Sequence, residues 1–253
     1  MHFDRREIFL DTHALILVLG GTVAAALIGF PLKQAREAFR FLLLGVFFAQ
    51  KSQTNRVIAQ LIVLSTRPEP SSILPHEWRT YHPYLVEGYL ILQKNDFSLA
   101  EFKMILQGRQ NRTEESYAWD AKFLTALAKF PPAFGLLGAS TGMIAMMSHL
   151  GSGGKDSIGP SMAIALVATF WGIALANLLL LPLADRAHRL NAEDAKLRSM
   201  ITSALVLMHQ SARPQVIFEH LIGFVPMNER NDPTIKRALF IIQNRNKQKS
   251  AAA

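Results

Sequence analysis

Apolar positions along this chain come in two textures. Three stretches are apolar on every side: Ala14–Leu32 carries no charge, Pro131–Leu150 holds only hydroxyls and a near-terminal His149, and Pro160–Ala184 has Asn177 as its most polar residue. A helix of about 20 apolar residues crosses a bilayer, so each stretch is predicted to span one. Elsewhere apolar residues recur three and four positions apart, in Asn55–Thr66, Pro83–Lys94 and Phe97–Leu106. That period predicts amphipathic helices. Thr113–Phe130 begins charged and turns apolar, which predicts one long helix running into the second span, and Asp185–Met208 is predicted to continue helical from the third. Arg67–Pro75 holds three prolines and breaks the pattern. Phe41–Ala49, between Arg40 and Lys51, is too short to span and is expected to pack on protein or lie at the interface. Pro214 and Pro233 punctuate the tail, and Asn244–Ala253 is expected to fray.

The fold class is therefore all-α membrane protein, with an arm (1–13), a span (14–32), a helical domain (33–130), a second span (131–150), a short loop (151–159), a third span (160–184) and a helical tail (185–253). The mixed charges before the first span and the basic run after it predict a retained helix and not a cleaved signal. Net charge is +8, and its distribution decides what it means. Residues 33–130 carry 13 Lys+Arg, the tail 11, the arm two and the 151–159 loop one. Lys33, Arg36, Arg40, Lys122, Lys129, Arg186 and Arg189 flank the spans on one side, so that side is predicted to face the cytoplasm, with the N-terminus and the short loop outside. The positive surplus is thus explained by topology, without nucleic acid. The chain has no cysteine, which excludes disulfides, thiolate nucleophiles and Cys-ligated metal. No GxGxxG, P-loop, HExxH or internal repeat occurs, and no catalytic or metal site is expected.

No span contains Asp, Glu, Lys or Arg. A proton relay through a membrane needs a titratable group at depth, so a carboxylate would have to come from another chain. The second span places Gly135, Gly138 and Gly142 on one face, and the third does the same with Ala165, Ala168, Gly172 and Ala176. Small-residue stripes let membrane helices approach closely. Ser140, Thr141 and Thr169 lie at mid-span, where each hydroxyl either bonds its own helix or contributes to a narrow polar lining. Pro132 opens the second span, and Pro182, near the end of the third, removes a backbone hydrogen bond.

The segments PPAFGLLGASTGMIAMM, IGPSMAIALVATFWGIALANLLLLPLADR and SARPQVIFEHLIGF, in this order over about residues 115–225, resemble the MotA/PomA family of flagellar motor stator subunits. The first span, with its central Gly20–Gly21 pair, resembles that family's second membrane helix. Measured against the family's four spans, the resemblance implies that this sequence does not include the first, lipid-facing one. The resemblance implies an inner-membrane pentameric ring around two single-span MotB/PomB-like partners. Each partner brings the ion-binding aspartate in the membrane and a periplasmic domain that grips the cell wall. Ion flow at the interface turns the ring, and its cytoplasmic domain drives the rotor through a FliG-like switch protein.

By the same resemblance Pro132 and Pro182 match two functional prolines, and Thr169 matches the pore threonine. Ala139 falls where sodium-driven members carry threonine, so the implied ion is a proton and no cofactor is implied. Thr141 joins these on the expected ion path. Arg67 and Glu77 are roughly placed for rotor contact, within a proline-rich stretch unlike the family's. An ExbB/TolQ-like motor, with three spans and the N-terminus outside, is the alternative expectation. A non-conducting membrane scaffold is the second.

Overall fold

The computed structural model describes residues 11–31, 36, 54–66, 77–94, 96–151 and 158–251. The run Phe41–Ala49, the proline-rich stretch with Arg67, and loop residues 152–157 lie outside the described residues. The described secondary structure is helical. We label α1 (Thr12–Gly29), α2 (Thr54–Thr66), α3 (Pro83–Lys94), α4 (Leu99–Leu127), α5 (Phe130–Gly151), α6 (Ile158–His209), α7 (Pro214–Ile222) and α8 (Pro233–Ala251). Short 3₁₀ turns occur at Glu77–Thr80 and Met227–Glu229.

Local chemistry sets the helix ends. Asp11 caps α1 by accepting from the Ala14 amide at 3.0 Å. Ser98 and Glu101 form a capping box at the start of α4: the Ser98 amide and hydroxyl both donate to the Glu101 carboxylate, at 2.8 and 2.7 Å. That box moves the start of the helix expected from Phe97 to Leu99. Pro214 and Pro233 each open a helix, where a missing N–H costs nothing.

The long helix expected to run from Thr113 into the second span is interrupted. It ends at Leu127, Ala128 and Lys129 form a turn, and α5 starts at Phe130. Pro131 and Pro132 have no N–H to offer the carbonyls one turn earlier, so the ladder cannot pass through unbroken. Both α1 and α6 contain an unanticipated π segment, Ile16–Gly20 and Leu175–Leu180. The second lies just before Pro182, and a π turn is one way a membrane helix accommodates an interior proline. The helix then continues to His209, as expected.

The chain forms two compact units, one from the ranges Met1–Ala49 and Ser116–Leu190, the other from Gln50–Glu115 and Asn191–Ala253. The first holds α1, α5 and α6 up to Leu190, whose apolar stretches are long enough to cross a membrane. There Ala14 and Val18 of α1 pack with Val167 and Ala168 of α6, backed by Trp171 and Leu175. A second cluster joins Ala121 and Leu124 of α4 to Leu183, Ala184 and Ala187 of α6, with Phe30 edge-on to Phe123 at 4.7 Å between ring centroids. Leu136, Ile144 and Leu178 are 66%, 69% and 79% exposed, an apolar surface suited to lipid or to other membrane helices. The second unit has a conventional core in which Ile58, Leu61, Ile62, Leu85, Phe102, Leu106, Met200, Ile201 and Leu205 are fully buried.

Candidate functional site

The membrane unit is organised by one seam between α5 and α6. Gly135, Gly138 and Gly142 are buried on α5, facing Ser161, Ala165, Ala168 and Gly172 on α6. A Cβ at Gly135 would lie 2.9 Å from the Ala168 carbonyl, and one at Gly142 would lie 2.8 Å from the Ala165 Cβ. A Cβ at Gly172 would sit 2.6 Å from the Pro131 carbonyl. The backbones touch, and side chains at these positions would force them apart. The stripes legible in the sequence therefore meet each other, in antiparallel register, with Gly172 opposite Pro131 and Gly142 opposite Ala165.

One edge of this seam is closed by α1. Gly21 packs against the Phe134 ring, and Leu17 reaches a point 3.0 Å from where a Gly138 Cβ would be. Thr22, buried on α1, donates to the Val18 carbonyl at 2.6 Å. On the other edge, no described helix of this unit covers the seam. Thr169 flanks it there: its Cα lies 3.4 Å from a Cβ built on Gly135, which puts the two residues level. Pro132 and Ala139 stand one turn before and one turn after Gly135, on the flank of α5 opposite Phe134. The open edge therefore carries Pro132, Ala139 and Thr169 together.

Thr141 does not join them. Residues two apart on a helix differ by about 200° in direction, so Thr141 projects to the opposite flank from Ala139.

Each mid-span hydroxyl donates to its own helix. Ser140 bonds the Leu136 carbonyl at 2.9 Å, Thr141 the Gly138 carbonyl at 2.9 Å and Thr169 the Ala165 carbonyl at 3.0 Å. Donating uses the hydroxyl proton and leaves the oxygen lone pairs as acceptors. At Thr169 those lone pairs remain as acceptors beside the seam. Pro182 is exposed, two residues from buried Leu180 on one side and buried Ala184 on the other, so it projects outward from the chain.

In the second unit the sequence reading missed a buried polar network. The Tyr84 hydroxyl donates to the Leu106 carbonyl at 3.0 Å or pairs with the Thr202 hydroxyl at 2.8 Å, and Thr202 reaches the Gln110 carbonyl oxygen at 3.4 Å. Burial pushes the Tyr84 phenol above its usual range. The Arg198 guanidinium, 5.0 Å from the Tyr84 ring centre, is bonded to Asp194 at 2.6 Å. His82 is held below the ordinary histidine value, first by burial and then by Arg198, with Asp194 opposing. The available signal was a tyrosine and a threonine at core positions of two apolar periods. Of the two expected rotor contacts, Arg67 lies outside the described residues, and Glu77 begins the Glu77–Thr80 turn.

Comparison with known proteins agrees with this architecture. Residues 82–200 match the model of the MotA/TolQ/ExbB proton channel family. Motility protein A of Bacillus subtilis is 26% identical over 235 residues, covering 86% of this chain and 80% of that protein. Chemotaxis protein PomA of Vibrio alginolyticus is 23% identical over 225 residues, covering 88% and 87%. The fold is similar to that in the flagellar MotAB stator complex of Bacillus subtilis, with a TM-score of 0.77 at 23% identity over 88% of each chain. The C. jejuni MotAB structure gives a TM-score of 0.76 at 22% identity, over 90% of this chain and 88% of that one. By motif, seam and fold, this chain is similar to members of the MotA/TolQ/ExbB proton channel family, whose model matches just under half of it.

Proposed function

We propose that this chain is an ion-conducting stator subunit of a bacterial flagellar motor, resident in the inner membrane, which works with a MotB-like single-span partner. The observation that carries the reading is the open edge of the α5–α6 seam. It presents Thr169 between Pro132 and Ala139, while the spans contain no carboxylate of their own. An ion path there is complete only when a neighbour supplies the acid. Relatives matched over most of their length are motility proteins, and two similar folds come from MotAB assemblies, which favours the stator over the ExbB/TolQ branch.

The chemistry follows from the seam. Contacting backbones make α5 and α6 a stiff pair, so the open edge keeps its shape while a partner helix moves along it. A partner aspartate level with Thr169 faces an apolar wall and one oxygen acceptor. Protonated, it is neutral and tolerates that wall. Ionised, its desolvation is costly, and the partner shifts toward water or toward the next subunit. Alternation between the two states turns proton flow into rotation of a ring, expected to be pentameric, which passes torque to a FliG-like rotor protein. Ala139 leaves no hydroxyl beside Thr169 to complete a sodium shell, so the transported ion is a proton.

The test is co-expression with a MotB-like partner in a strain lacking its own stator. Swimming is expected, with no dependence on external sodium. Immobility with correctly inserted, co-purifying subunits contradicts the stator reading.

A further inference from the structure

Asn177 is unexplained by the seam or by the open edge as described so far. It lies inside the most apolar helix of the chain, in the π segment Leu175–Leu180, and it is exposed on the chain's own surface. Its amide nitrogen donates to the Ile173 carbonyl at 3.0 Å, its one hydrogen bond among the described residues. Among the described residues the side-chain carbonyl oxygen has no partner, on a residue that is exposed. Polar side chains within membrane helices face protein or water-filled cavities and not lipid, because an unmet polar group in hydrocarbon costs several kcal/mol. Something polar therefore covers Asn177 in the working assembly.

Its placement says what. Thr169, Ile173, Asn177, Leu181 and Asp185 follow at every fourth position, and all are exposed or half-buried. In an unbroken α-helix that spacing drifts by about 160° from first to last, enough to carry Asp185 away from the Thr169 flank. The π segment falls in the middle of the series. Its wider turn advances each residue by less, taking back part of the drift. Asn177 then stands about 12 Å along the axis from Thr169 and about 12 Å from Asp185, at 1.5 Å per residue. Asp185 is the first carboxylate after the span, and it is exposed.

Resting on the stator reading above, we propose that Asn177 is the inner waypoint of the ion path. Its side-chain carbonyl orders water between the level of Thr169 and the Asp185 carboxylate, which draws the cation out at the inner mouth. A proton enters this stretch as hydronium and leaves as hydronium. Each O–H bond broken in one water is formed on the next, and Asn177 neither gains nor loses a proton. The neighbouring Leu178, 79% exposed on another side of the same turn, faces lipid or protein without water.

The natural absence of cysteine makes the test direct. Asn177→Cys and Leu178→Cys chains, co-assembled with the MotB-like partner in inside-out vesicles, are treated with a charged, membrane-impermeant thiol reagent. Asn177→Cys is expected to react at least tenfold faster, and equal rates overturn the proposal. Proton flux through Asn177→Leu is expected to fall at least tenfold with partner co-purification unchanged, while Asn177→Ser stays within threefold of wild type. Wild-type flux through Asn177→Leu also overturns it. If Asn177→Leu fails to assemble, the thiol rates decide alone. If the wild-type complex conducts nothing, the stator reading fails, while the thiol rates still report whether water reaches Asn177.

Discussion

The two units of this chain solve the packing problem with opposite residues. In the membrane unit the closest contact is made by what is missing: Gly135, Gly138, Gly142 and Gly172 bring two backbones together, and many large side chains on α5 and α6 point outward. In the second unit the centre is filled by Phe102, Leu61, Leu85, Ile201, Met200 and Leu205, all fully buried. The contrast follows from the solvent. In water, removing large apolar surface drives folding at roughly 25 cal/mol per Å². In lipid that drive between helices vanishes, and dispersion contact between smooth surfaces takes its place. A glycine in the second unit plays the opposite part: Gly88 makes room for the Leu205 side chain instead of for a backbone.

The comparison is broken most severely at Gly172. Gly172→Leu must displace the Pro131 carbonyl, so the seam opens, and flux with the partner is expected to drop to background with loss of the co-purified complex. Gly20→Ala, whose Cβ would meet nothing within 4 Å, is expected to behave as wild type. Equal tolerance of both changes would mean that the seam does not hold the unit together. In the second unit the largest effect comes from removing volume: Leu205→Ala is expected to cost about 2–5 kcal/mol in an unfolding titration. A cost below about 1 kcal/mol would show that the core there is loosely filled.

Smaller changes sharpen the contrast between the two edges of the seam. Thr169→Val removes the oxygen at the open edge and should lower flux about tenfold, equivalent to roughly 1.4 kcal/mol. Thr141→Val, on the opposite flank of α5, should leave flux within twofold. Reversed effects would place the path on the wrong side.

The gentlest test is pH. The folded state holds His82 below 6.5, so the unfolded chain binds more protons below that value. The contribution is complete above pH 6.5 and is lost as pH falls toward the folded value. Stability of the second unit should therefore decline between pH 7.5 and 5.5, and His82→Gln should flatten the slope. An unchanged slope would assign the decline to other groups.

Much of this was legible beforehand, for physical reasons that differ by element. The amphipathic periods placed α2 and α3 to within a residue, because water on one side and a core on the other impose a regular stripe. The seam was legible because close approach admits only small residues, at spacings that a helix dictates. The π segments were not, since one extra residue in a turn leaves no compositional mark in an all-apolar run. The break at Ala128–Lys129 was written in Pro131 and Pro132, yet the continuous apolar character around it concealed the stop. The Tyr84–Thr202–Gln110 network escaped because its members lie far apart in sequence, and only the folded α3, α4 and α6 bring them together.

The central claim is that this chain provides a shaped, acid-free wall and that its neighbour provides the acid. It is tested most directly by proton flux into proteoliposomes at fixed driving force, with three preparations: this chain alone, the chain with its MotB-like partner, and the chain with a partner whose membrane aspartate is changed to asparagine. The account predicts flux only in the second. Flux from the chain alone, or undiminished flux with the asparagine partner, would contradict it.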